Sequence, residues 1–429
     1  MGRGGAPISV RYLIKFEALP RRRLAYCDMG AHATDADGAE CLPRHRFHQG
    51  RGGAGLAARL RMFYVRSMLP HEYEDIPAER RKARAATTNR TGRFEPYARI
   101  AVDDGWPRDE ALPPLRTELS LERPRSVISR NSSPDLPFDR SINPYRGCEH
   151  GCIYCFARPT HAWLGLSPGL DFETRLVARP TAPEVLAREL SAKRYRPRTI
   201  AIGTNTDPYQ PIEKEQRIMR RILEVLLEFR HPVGIVTKGT LIERDIDILQ
   251  DMAALGLVRV GISVTSLDRN LSRAMEPRAP TPERRLAAIG KLAGAGIEVR
   301  AMVSPIVPAL TDHELEAILA RAAGAGARAA SWIMLRLPLE VSPLFQEWLA
   351  EHFPDRAARV MARLREMHGG RDYSPEWGKR MRGEGHYAKL IGARFAHAAK
   401  RLGLDAPLPP LRCDRFRVPP RAGDQLSLF

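Results

Sequence analysis

The feature that most constrains this chain is a sixfold alternation between residues 141 and 338. Short apolar runs of strand length are separated by segments whose apolar residues recur at helical spacing. The first strand is expected near Ser141–Tyr145. RTIAIGT (Arg198–Thr204), PVGIVTK (Pro232–Lys238), LVRVGISVT (Leu257–Thr265), IEVRAMVSP (Ile297–Pro305) and ASWIMLRLP (Ala330–Pro338) follow it. Between them TAPEVLARELSAKR, EQRIMRRILEVLLEF, IERDIDILQDMAAL, TPERRLAAIGKLAGA and TDHELEAILARAAGA read as helices. Their boundary signals are Thr181 as a cap, Gly256 as a stop, and Thr311 with Glu314 as a capping box.

Near-continuous apolar strands belong in a parallel sheet buried on both faces. Right-handed crossovers then curl such a sheet toward a barrel. Six units, where a full barrel has eight, predict an α/β fold: a partial (β/α)6 barrel of the TIM type, open at one side. The rival is a doubly wound sheet, and no GxGxxG turn supports it.

The flanks differ in texture. Residues 1–75 mix Gly, Arg and short apolar pieces without a period, as in a disordered or mis-started N-terminus, with Met62 or Met68 as alternative starts. Residues 76–140 read as a basic, proline-rich extended arm, and 141–345 as the barrel. Residues 346–412 form a helical, basic extension, and 413–429 a flexible tail. No stretch approaches the ~20 apolar residues of a membrane helix, and the N-terminus lacks a secretory pattern. A cytoplasmic protein with reduced thiols is expected. Its net charge of +18 attracts polyanions, nucleic acid first among them.

Against that background, NPYRGCEHGCIYCFARPTHAW (143–163) stands out. It places Cys148, Cys152 and Cys155 within one loop of a chain that has six cysteines. Pro144, Gly147 and Gly151 argue for a loop over a helix. Clustered thiolates in a reducing compartment select zinc or iron–sulfur. A structural zinc site needs a fourth ligand, for which His150 or Cys413 is available. A [4Fe–4S] cluster on three cysteines instead leaves one iron open to a substrate or cofactor.

The CxxxCxxC loop, with Tyr154 just before its third cysteine and six ordered β/α units behind it, resembles the radical S-adenosylmethionine superfamily. GTNTDPYQPIE (203–213), VTKGT (236–240), GISVTSLD (261–268), MEPRAPTPERRLAAIGKLAGAGI (275–297) and VSPIVPALTD (303–312) further resemble its spore photoproduct lyase-like branch, labelled DNA repair photolyase-related. The likeness spans roughly residues 140–345. It implies a radical SAM enzyme, lyase-like or of unknown substrate, whose Cys148, Cys152 and Cys155 bind [4Fe–4S] and S-adenosylmethionine chelates the open iron. An electron from a donor such as flavodoxin or ferredoxin then breaks the S–C5′ bond, releasing a 5′-deoxyadenosyl radical. It also implies Lys238 and Ser263 at the cofactor's carboxylate or ribose, Asn205, Thr206 and Asp207 near its amine, and Tyr154 beside the cluster. Glu213 is a second candidate for the amine. Glu276 and Arg284 either bind cofactor or pair with each other.

One departure is chemical. Photoproduct lyase carries a hydrogen-donating cysteine near the end of its second strand, where this chain has Gly203-Thr204-Asn205. The substrate expected is DNA or a nucleic-acid-associated molecule, with protein or RNA as the alternative within enzymes. A zinc-stabilised nucleic-acid adaptor is the alternative outside them. Finally, Gln425, Leu426, Ser427, Leu428 and Phe429 resemble the bacterial sliding-clamp-binding motif, a short linear ligand with Leu and Phe anchors.

Overall fold

The computed structural model describes residues 81–95 and 113–420, and the backbone of 10–15 and 97–102. Strands β1 (Val10–Lys15) and β2 (Tyr97–Val102) pair antiparallel as a unit of their own. The clamp-like residues 425–429, and Cys27 and Cys41, lie outside the described residues.

Two strands of the proline-rich arm come next: β3 (Glu118–Leu121) and β4 (Ile128–Arg130). The first barrel strand is β5 (Arg140–Ile142), shorter than expected. Pro144, which has no N–H to offer a ladder, separates it from β6 (Tyr145–Arg146). The latter joins β3 and β7 (Arg175–Ala178) in a three-stranded sheet. The remaining barrel strands are β8 (Ile200–Ile202), β9 (Val233–Thr237), β10 (Val258–Ser263), β11 (Val299–Ile306) and β12 (Ala329–Met334). They form one sheet in the order β12-β11-β10-β9-β8-β5-β4. Every pairing from β5 to β12 is parallel, and only the edge strand β4 runs antiparallel. The expected partial (β/α)6 barrel is therefore present.

Its helices carry the expected apolar stripes. Helix Ile218–Glu228 buries Ile218, Met219, Ile222, Leu223 and Leu226, a 3.6-residue stripe against the sheet. Each such side chain contributes roughly 1.5–3 kcal/mol on burial. Several boundaries differ from expectation. The segment after β8 breaks at Arg217, which sits at φ 50, into Glu213–Gln216 and Ile218–Glu228. The segment after β9 opens as a 3-10 turn, Thr240–Asp245, before helix Ile246–Ala254. Thr181 and Thr311 make no side-chain cap. Thr311 instead accepts from the Val307 N–H at 2.9 Å, and Glu314 accepts from the N–H groups of Leu267 and Asp268. Tertiary partners outcompeted the local capping box.

The open side is bridged. After helix Pro354–Met367 the chain returns as a loop whose Met381 carbonyl accepts from Met334 N–H of β12 at 2.9 Å. The same loop reaches the turn after β4: Gly378 N–H and Arg380 Nε donate to Asp135 at 2.7 and 2.6 Å. Residues 378–381 thus bond to both flanks of the incomplete barrel. Helix Gly385–Arg401 closes the extension, with Phe395 beside Trp332 of β12. No helix among the described residues is long and apolar enough to cross a membrane.

Candidate functional site

The three cysteines occupy the loop that follows β5 at the C-terminal end of the strands, the end where barrels of this kind build their sites. Two glycines shape it. Gly147 has φ +75, and a Cβ there would meet Phe172 O at 2.9 Å. Gly151 has φ +66, and a Cβ would meet Glu173 Oε2 at 2.6 Å. The loop is fastened by Arg158, which is fully buried. Its guanidinium donates to the carbonyls of Cys152, Gly151, Pro168 and Gly169 at 3.0–3.1 Å and to Glu173 Oε1 at 2.5 Å. Glu173, equally buried, also accepts from the N–H groups of Ala85 and Ala86 at 3.0 Å each. The arm therefore helps to hold the cysteine loop. Glu149 adds another tie: its N–H donates to Gln210, and its carboxylate accepts from Thr117 at 2.6 Å and Arg278 at 3.0 Å.

Cys148 and Cys152 are buried and Cys155 is half-buried. Burial pushes the Cys148 thiol well up and Cys152 up to about 12, with Lys238 pulling the latter back. Burial also raises Cys155. A cationic metal centre bound to these sulfurs supplies the charge that burial denies them, so the donor set fits one. Among the described residues no three His, Cys, Asp or Glu side chains converge on a single ion. Cys413 does not join them. Its turn is anchored by Arg412 N–H to Gly256 O and Arg417 N–H to Phe229 O, at the opposite end of the barrel where β9 and β10 begin.

A charged cluster stands against Tyr154 of the loop. Lys238, at the end of β9, directs its ammonium over the Tyr154 ring, 5.7 Å from the centroid, and makes no hydrogen bond or ion pair among the described residues. Burial works against its charge, but Cys152 and Glu276 outweigh that and raise its basicity. Glu276 accepts from Tyr154 OH, from Thr265 at 2.7 Å and from Arg285. Burial opposes its ionisation, yet Arg285 and Lys238 hold the carboxyl down to about 2. The partner of Glu276 is Arg285, not Arg284: Arg285 is buried and also donates to Pro280 O and, from β10, Ser263 O. Ser263 itself lies buried at the end of β10.

The turn after β8 divides the remaining candidates. Asp207 accepts from Thr237 at 2.6 Å, Tyr209 N–H at 2.9 Å and Lys238 N–H at 2.8 Å, and its Oδ2 lies 3.3 Å from His150 Nδ1. Against the opposing effect of burial, the His150 ring and these donors hold its carboxyl well below the usual range. Its oxygens are thus engaged in joining the β8 and β9 turns to the cysteine loop. Thr206 is buried and donates to Tyr145 O at 3.0 Å. Asn205 is half-buried, and its amide has no protein partner among the described residues. Glu213 is consumed by Tyr145, Arg244 and the N–H groups of Ile218 and Met219. Gly203, at φ +88, passes so close to β9 that a Cβ would fall 1.8 Å from Val236 O. No cysteine fits at that position. Tyr209 is buried.

Sequence reasoning missed Arg158, Glu173, Arg285 and Arg336. Arg336 follows β12 and stacks on Phe156, the residue after Cys155, at 4.3 Å. One signal was available for Arg285, a charge lying on the buried stripe Pro282, Arg285, Leu286, Ile289, Leu292.

The family model described as the radical SAM superfamily matches residues 142–322. An uncharacterised protein of Mycobacterium tuberculosis is 39% identical over 242 residues, covering 56% of this chain and 70% of the relative. Another, from Methanocaldococcus jannaschii, is 30% identical over 174 residues, covering 40% and 62%. A solved spore photoproduct lyase complexed with dinucleoside spore photoproduct superposes with a TM-score of 0.49 at 17% identity, over 66% of this chain and 79% of that one.

Proposed function

The chain belongs to the radical SAM superfamily and is a radical SAM enzyme; on that premise we propose that Cys148, Cys152 and Cys155 hold a [4Fe–4S] cluster and that the substrate is DNA or a nucleic-acid-associated molecule. The observation carrying the first part is the set of three cysteines, two buried and one half-buried, on a fastened loop at the C-terminal end of the barrel. Held by these three cysteines, such a cluster would supply the one-electron reduction by which S-adenosylmethionine is cleaved to methionine and a hydrogen-abstracting 5′-deoxyadenosyl radical.

The residues of this chain position and shield. Lys238, whose ammonium has no hydrogen-bond or ion-pair partner among the described residues, is suited to the cofactor carboxylate as a compact charge with three donors. The unsatisfied amide of Asn205 is better placed for the cofactor amine than Asp207, whose oxygens are already engaged. Thr206 and Asp207 brace the strand ends, Ser263 lines the end of β10, and Tyr154 walls the site next to Cys155. The electron comes from a small carrier such as flavodoxin or ferredoxin, in a reducing, cytoplasmic setting. Support for a nucleic-acid substrate lies in the net charge of +18 and in the strand-end segments that resemble the photoproduct lyase-like branch. Clamp binding through Gln425–Phe429 would bring the enzyme to DNA.

Anaerobic reconstitution tests the reading. About four irons per chain are expected, with dithionite-dependent release of 5′-deoxyadenosine that rises with DNA. Lys238→Met is expected to keep the iron and weaken cofactor binding. A colourless protein holding one zinc would overturn the proposal.

A further inference from the structure

The open side of the barrel holds a charge that no described residue answers. Arg336 is half-buried at the C-terminal end of the last strand, its guanidinium carbon 4.3 Å from the centre of the Phe156 ring and next to the cysteine loop. Its guanidinium makes no hydrogen bond or ion pair with any described residue. Tyr373, Arg380, Cys155 and Asp135 lie within electrostatic reach of it. Asp135, the carboxylate among them, is already bonded to Gly378 N–H and Arg380. Burial lowers the basicity of Arg336, and Arg380 adds to the effect.

Half-buried on the ring, the guanidinium keeps its donors open to an incoming group. Its planar fork of donors, held against a ring, presents an edge shaped for an oxyanion. The setting narrows the oxyanion. Phe156 is 42% exposed, and the bridging loop carries Trp377, 60% exposed, beside Lys379, which pairs with Glu376 and Glu384, Arg380, which pairs with Asp135, and Arg382, which lies over Trp332. Exposed rings interleaved with cations stack bases and track the backbone of a single strand. We propose that Arg336, seated on Phe156, binds a backbone phosphate of single-stranded DNA at the mouth of the barrel. This rests on the nucleic-acid reading above and names the residue that takes its phosphate.

The test uses the full chain, reconstituted anaerobically, and a fluorescein-labelled single-stranded oligonucleotide followed by anisotropy across a salt series. Arg336→Gln is expected to weaken binding roughly tenfold and to flatten the slope of log K against log salt by roughly 0.7, the loss of one phosphate contact. Arg336→Lys keeps the charge and should restore the slope without restoring full affinity. Iron content and the circular dichroism spectrum, unchanged in both variants, exclude misfolding as the cause. Binding by the wild type with no change in Arg336→Gln overturns the assignment and leaves the nucleic-acid reading standing. Failure of the wild type to bind the oligonucleotide overturns both. Arg336-dependent binding of an acidic peptide in its place, or of free inorganic phosphate with equal affinity, also overturns the assignment.

Discussion

Replacing Arg158 by Leu should detach the cysteine loop from its support. Arg158 and Glu173 are both fully buried, and the guanidinium serves four carbonyls besides the carboxylate. Leucine restores some volume but leaves the Glu173 carboxylate with only the Ala85 and Ala86 N–H groups, and takes from four carbonyls the guanidinium bond, Cys152 O keeping the Cys155 N–H. Breaking a buried ion pair by removing one partner costs about 3–5 kcal/mol. At 1.4 kcal/mol per decade, the formed loop becomes disfavoured by a factor on the order of 10²–10³. The assay has two parts: the denaturant midpoint of the apo-protein, and iron per chain after anaerobic reconstitution. Both should fall. Arg158→Lys keeps the charge but not the fork and should fall between. Removing the orphaned carboxylate as well, in Arg158→Leu with Glu173→Gln, should recover part of the loss, because neighbouring effects do not add. If Arg158→Leu holds wild-type iron with an unchanged midpoint, the loop is positioned by something other than this pair.

Gly203→Ala forces a Cβ to 1.8 Å from Val236 O at φ +88, so it should cost about 3 kcal/mol or more and depress the thermal midpoint; an unchanged midpoint would show that the turn relaxes freely. For Glu276, the folded carboxyl is held down to about 2 against an ordinary 4.5. Its contribution, roughly 3 kcal/mol, is therefore complete above pH 4.5 and disappears as pH falls through about 2. Glu276→Gln should flatten the stability–pH curve in that window, as read from denaturant midpoints between pH 2 and 5. A peptide ending in QLSLF should bind purified sliding clamp and lose that binding on Phe429→Ala; no binding at concentrations where known clamp ligands saturate would remove the clamp from the proposal.

What the sequence disclosed follows from how local each signal is. The six strands were legible because each is a compact apolar run, and the cysteine loop because its three thiols fall within eight residues. The interactions that hold the loop were not, since Glu173 meets N–H groups 87 and 88 positions away. Thr311 and Glu314 matched a capping box by spacing, but their side chains are recruited by Val307 and by the β10 loop. Arg284 and Arg285 are adjacent in sequence, and the helical stripe decides which of them reaches Glu276. Asp207 was legible as a strand-end carboxylate, but its engagement with Thr237, Lys238 N–H and His150 depends on β9 and the cysteine loop packing beside it.

The same distinction bears on what constitutes the catalytic unit. A six-stranded partial barrel has two sheet edges, and an unpaired edge is a template for aggregation. On one flank β4 pairs with β5 in the register Ile128↔Ile142, and Glu189 accepts from the N–H groups of Val127 and Ile128. On the other flank β12 donates from Ala330 N–H to Leu404 O and from Met334 N–H to Met381 O. Residues 141–345 alone would lose all of these partners, as well as the Ala85 and Ala86 donors to Glu173 and the Thr117 donor to Glu149. That fragment is therefore expected to aggregate and to reconstitute with substoichiometric iron, whereas 81–420 keeps every one of these contacts and should remain monomeric and brown. Size-exclusion chromatography with iron quantitation on the two fragments decides the matter. A monomeric 141–345 that melts cooperatively and carries full iron would mean that the arm and extension serve the substrate alone and contribute nothing to closing the barrel.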